Sequence, residues 1–161
     1  MSRASRFHAL LRSRAWVLLM LLPAVLLSTG CDDDDVIGNT SPYTLRVSLS
    51  ADFQVPHGDQ PVNWALIRAA DVVTLATGDG TVSATTNPAF TLRAGAVLEF
   101  GVDYELRYWI DSNTGGGTAG VCDHVAIDHQ WNFKFRAPDN DVNLILVYDV
   151  DRVEDVCATF N

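Results

Sequence analysis

The sequence predicts an all-β protein, a single sandwich of about seven to nine strands over residues 43–161. Three observations carry this. Apolar and polar residues alternate with a period of two along most of that length. Turn-forming clusters interrupt the alternation at short intervals. No stretch beyond residue 42 sustains a 3.6-residue period with helix caps.

The first strand is expected at 43–49, with Tyr43, Leu45, Val47 and Leu49 on one face and Thr44, Arg46 and Ser48 on the other. Pro56-His57-Gly58-Asp59 then reads as a turn, with His57 facing solvent. Shorter strands follow near 62–69, 71–76, 81–85, 89–93 and 96–100, separated by Gly78-Asp79-Gly80, Asn87-Pro88 and Ala94-Gly95. The cleanest alternation is 102–110. Val102, Tyr104, Leu106, Tyr108 and Ile110 share one face, and Asp103, Glu105, Arg107 and Trp109 the other, which describes a strand with one buried side. Residues 125–135 set Val125, Ile127, His129, Trp131, Phe133 and Phe135 against Ala126, Asp128, Gln130, Asn132 and Lys134. After Pro138-Asp139-Asn140 a last strand is expected at 142–150, through Val142, Leu144, Leu146, Tyr148 and Val150.

Leu98, Gly101 and Tyr104 add a local motif. In the run Leu98-Glu99-Phe100-Gly101-Val102-Asp103-Tyr104 they resemble the tyrosine corner of fibronectin type III and related immunoglobulin-like sandwiches. Phe100 stands where that family has proline, and Leu106 where immunoglobulins have cysteine. The resemblance implies an immunoglobulin-like antiparallel sandwich in which the Tyr104 hydroxyl bonds to backbone upstream.

The chain ahead of the strands divides in two. Residues 1–14 carry Arg3, Arg6, Arg12 and Arg14 and no acid, and residues 15–27 are apolar. Thirteen apolar residues fall short of the roughly 20 that span a bilayer and suit the core of a secretory signal. The run ends in Leu27-Ser28-Thr29-Gly30-Cys31, followed by four aspartates. Residues 1–31 resemble a bacterial lipoprotein signal, although Ser28 stands where the pattern prefers leucine. The resemblance implies cleavage after residue 30, acylation of Cys31 and attachment to a membrane through several chains, each buried methylene contributing about 0.8 kcal/mol. Residues 31–42 are then an acidic linker, whose like charges repel and keep it extended. The expected place is the extracytoplasmic side of a bacterial membrane, in the periplasm or at the cell surface.

Removing the signal takes four of the 11 basic residues and leaves seven against 20 acids, a net charge of −13. Nucleic acid is excluded as a partner, since Lys and Arg neutralising phosphates supply that affinity. Cys122 and Cys157 are the two cysteines left after lipidation. In an oxidising compartment they are expected to pair, which would stabilise the fold by about 3–4 kcal/mol on the chain-entropy model.

Three places invite chemistry. The loop beginning Asp111-Ser112-Asn113-Thr114-Gly115-Gly116 resembles a worn calcium loop, in which Asp111, Asn113 and Asp123 would be ligands. Its fifth position is Gly115 and its twelfth Cys122, so two usual oxygen donors are missing. His124 and His129 point to opposite faces of an extended chain, so a zinc site would need His57 from elsewhere. Trp109 lies on the polar face of its strand beside carboxylates, where it would stack on a sugar ring or pack beneath a neighbouring loop. No nucleophile-elbow or zinc-protease motif occurs. The expectation is a non-catalytic, lipid-anchored binding or structural module of the cell envelope without a resident cofactor. Its partner would be an envelope protein, a glycan or a small ligand. The alternative is a calcium- or carbohydrate-binding sandwich using the 111–124 loop or Trp109.

Overall fold

A computed structural model describes residues 42–161. The signal, Cys31 and the acidic linker lie outside the described residues. Seven strands form two sheets: β1 (Tyr43–Leu49), β2 (Pro61–Arg68), β3 (Val73–Thr81), β4 (Phe90–Leu98), β5 (Asp103–Ile110), β6 (His129–Arg136) and β7 (Val142–Leu146). One helical turn, α1 (Gln54–His57), interrupts the path from β1 to β2. The sheet orders are β4-β1-β7 and β3-β2-β5-β6. Every pairing is antiparallel except β1 with β7, which run parallel with Leu45 opposite Val142 and Leu49 opposite Leu146.

The alternation seen in sequence is the alternation of burial. Leu45, Val47 and Leu49 of β1 face Tyr104, Leu106, Tyr108 and Ile110 of β5 within one core, joined by Val62, Trp64 and Leu66 of β2. Each pleat turns these side chains inward and leaves Thr44, Arg46 and Asp103 outside. On β2 the outer row is buried too. Ala65 and Ile67 lie opposite Arg107 and Glu105 of β5, and both are almost fully covered.

Two expected turns are strand interior. Gly78-Asp79-Gly80 belongs to β3, because these glycines make room for rings rather than for a reversal. A Cβ on Gly78 would meet the Trp64 ring at 2.7 Å, and one on Gly80 would meet Phe90 at 2.4 Å. Ala94-Gly95 likewise lies within β4, so the separate strands expected at 89–93 and 96–100 are one. The last two strands are shorter than expected. Residues 125–128 form a turn, in which the His124 carbonyl accepts from Ile127 and Asp128 N–H at 2.7 and 3.1 Å. Beyond Leu146 the chain leaves the sheet, and Val150 is exposed.

The corner between β4 and β5 has the expected bond. Glu99 N–H donates to the Tyr104 hydroxyl at 2.8 Å, over a turn in which Gly101 has φ +74°. Leu98 and Tyr104 are buried beneath it. Tyr104→Phe deletes the acceptor and strands a backbone donor, so it should cost about 1–2 kcal/mol in urea unfolding with an unchanged m-value.

Candidate functional site

Strand direction sorts the connections between the two ends of the sandwich. The turns at one end are short: 69–72, 99–102 and 137–141. The opposite end carries residues 50–60, 82–89, 111–128 and the tail 147–161. Loops held by a rigid sheet are where binding residues concentrate. The loop-rich end is therefore the candidate site.

Three consecutive residues at the entry to β6 organise it. Asp128, His129 and Gln130 are 1%, 8% and 0% exposed. The Asp128 carboxylate accepts three backbone N–H groups. One oxygen takes Ser112 at 3.0 Å and Asn113 at 3.1 Å, and the other takes Asp123 at 2.9 Å. It thus pins both shoulders of the 111–123 loop. Gln130 ties that loop to the tail. Its amide nitrogen donates to the Asp123 carbonyl at 2.5 Å, and its side-chain oxygen accepts from Val156 N–H at 2.9 Å. Cys122 and Cys157 form the expected disulfide across the same gap, with Cα atoms 5.3 Å apart.

His129 joins the 50–60 segment to the start of the tail. Its ring centroid lies 4.8 Å from that of His57 on α1, 5.9 Å from Phe53 and 5.4 Å from Tyr148 of the tail. His57, expected in solvent, is only 6% exposed, because the helical turn folds it beneath Tyr148, 5.3 Å away. Gln60 Oε1 sits 2.8 Å from His57 Nδ1 and fixes the proton there as donor, with Ser112 Oγ 3.3 Å away. The Nε2 atoms of both histidines are buried and without hydrogen-bond partners, as is the Tyr108 hydroxyl. Burial lowers the pKa of His57 against the opposing pull of Gln60, and burial followed by the His57 charge lowers that of His129 to about 4. Both rings are neutral at pH 7.

The expected site residues are distributed unevenly. Asp111, Asn113 and Asp123 do share one loop, but their polar groups serve the loop itself. Asp111 accepts from the Asn113 amide and from Gly120 N–H at 2.6 Å, and Asp123 accepts from Thr118 N–H at 2.5 Å. Asn113 Oδ1 is left without a partner. Among the described residues no three His, Cys, Asp or Glu side chains are placed to hold a metal ion. His57 and His129 meet, while His124 remains exposed and binds Ala126 N–H at 3.2 Å. Trp109 is 3% exposed, covered by Cys122, Val156 and Phe160, so neither ring face is open for a sugar. Ser112 and Gln60 approach the same nitrogen of His57, whereas a catalytic triad sets its nucleophile and its orienting group on opposite ring nitrogens. No family model, curated protein or solved structure matches this chain.

A neutral buried histidine makes the fold acid-sensitive with a definite sign. The His129 pKa is about 4 when folded, against about 6.5 unfolded. The unfolded chain takes up its proton first, so stability is lost as pH falls from about 6.5 towards 4. Between pH 7.5 and 5 this residue should account for about 2 kcal/mol of lost stability. Urea titrations should show His129→Phe losing correspondingly less over that interval, and parallel pH curves for the two proteins would contradict the assignment.

Proposed function

We propose that the chain is a non-catalytic binding module of the bacterial envelope, tethered through an acylated Cys31 and presenting its loop-rich end to a ligand. The observation that carries this is the division of labour between the two ends. The chain enters β1 at Tyr43, at the end with short turns, and the long connections gather at the other. A tether arriving through residues 31–42 therefore joins the sandwich away from the presenting loops. The net charge of −13 after signal removal fits a soluble ectodomain that does not adhere to anionic lipid. Among the described residues no helix is long and apolar enough to cross a membrane; in this reading the lipid on Cys31 supplies the attachment. The Tyr104 corner supports membership of the immunoglobulin-like, fibronectin type III kind of sandwich.

Fractionation of the native host tests the tether. The wild-type chain should sediment with membranes, be freed only by detergent and, by mass spectrometry, begin at an acylated Cys31. A mature chain that is found off membranes, or that begins without an acylated Cys31, would overturn the reading.

A further inference from the structure

We propose that the outer face of the three-stranded sheet, where it meets the loop-rich end, binds an acidic sugar, a hydroxylated ring bearing one carboxylate. The proposal rests on the binding-module reading and supplies its ligand class. Its centre is a pair of like charges. Arg46 of β1 lies directly opposite Arg93 of β4. Both are exposed, and neither has a carboxylate partner among the described residues; Arg136 and Arg152 share that lack, but neither faces a second arginine across a sheet rung. Like charges directly opposite one another destabilise a sheet. A chain with 20 acids and 11 bases has ample means to neutralise such a pair and does not do so here. An oxyanion between the two guanidinium groups turns the repulsion into two charge-assisted hydrogen-bonding arms.

The next rung towards the loops supplies the rest. Ser48 lies between Thr91 of β4 and Ile145 of β7, all on the same outer face. The Ser48 and Thr91 hydroxyls are 3.4 Å apart, and Ile145 is 74% exposed. Above them a cleft of about 490 Å³ opens, floored by Arg46, Ser48 and Ile145 and walled by Asp52 of the 50–60 segment and Asn87 of the 82–89 segment. That volume falls within the range of small-ligand sites. Asp52 decides the class. A carboxylate in the wall repels a bare polyanion but accepts from ring hydroxyls, as Asn87 and Ser48 can. Ile145 offers an apolar platform to the C–H face of a sugar ring. One carboxylate, several hydroxyls and one apolar face describe a uronic acid.

The test uses the full-length protein in detergent micelles, titrated calorimetrically with a galacturonate disaccharide, with the neutral galactose disaccharide and with inorganic phosphate. The wild type should bind the uronate at least tenfold more tightly than either comparison compound. The double variant Arg46→Gln/Arg93→Gln should lose that binding at least tenfold, while its melting temperature stays level or rises because the repulsion is gone. Arg136→Gln, on the other sheet, should bind as the wild type does. No uronate binding, equal binding of phosphate, or undiminished binding by the double variant would each overturn the assignment. If the double variant still binds envelope glycan, the module reading stands and only this cleft falls. A failed tether shows itself separately, in fractionation.

Discussion

The loop-rich end depends on three polar side chains buried in sequence at the start of β6. Asp128 gathers the 111–123 loop, His129 seats the 50–60 segment and Tyr148, and Gln130 fastens the tail. Burying three polar residues in a row is costly unless each is satisfied. Asp128 and Gln130 meet this condition through backbone groups that would otherwise be orphaned within the loop. His129 only lessens the cost, by giving up its charge while its Nε2 stays without a partner. Three of the four long segments at that end are thereby attached to one point, the start of the edge strand β6, and the 82–89 segment is held in turn by backbone bonds to Gln60 and Leu49.

This arrangement explains the apparent waste of carboxylates in the 111–128 loop. Asp111 and Asp123 look in sequence like ligands of a worn calcium loop. In the structure they hold glycine-rich backbone in place by accepting its N–H groups, and Asn113 sits at a positive φ of 49° that the local turn requires. The disulfide then ties the tail to the 111–123 loop, closing Trp109 beneath Phe160. An indole on the polar face of a strand is in this way brought into a second small core without disturbing the first.

The sandwich itself was legible because strand burial has a period of two that the sequence repeats openly in 43–49 and 102–110. The cysteine pair was legible by count, and the Tyr104 bond through its motif. What was hidden has a common physical origin. A glycine that yields space to Trp64 looks the same in sequence as a glycine that turns. Asp128 and Gln130 fall on the outward face of a strand by alternation, and only the 111–123 loop and the tail, folded back over it, make that face an interior. His57 lies in a segment that reads as a solvent-facing turn, and its partner His129 is brought to it by the pairing of strands distant in sequence. The Arg46–Arg93 rung was invisible for the same reason, since the register between two paired strands is not written in either strand alone.

The central claim is that the loop-rich end is a preorganised surface held by Asp128 and Gln130. Native-state amide hydrogen exchange on the oxidised protein tests it most directly. The amides of Ser112, Asn113, Asp123 and Val156 should be protected to a degree approaching those of β5, despite lying outside any strand. Exchange of those four amides at the rate of an unstructured chain would contradict the account.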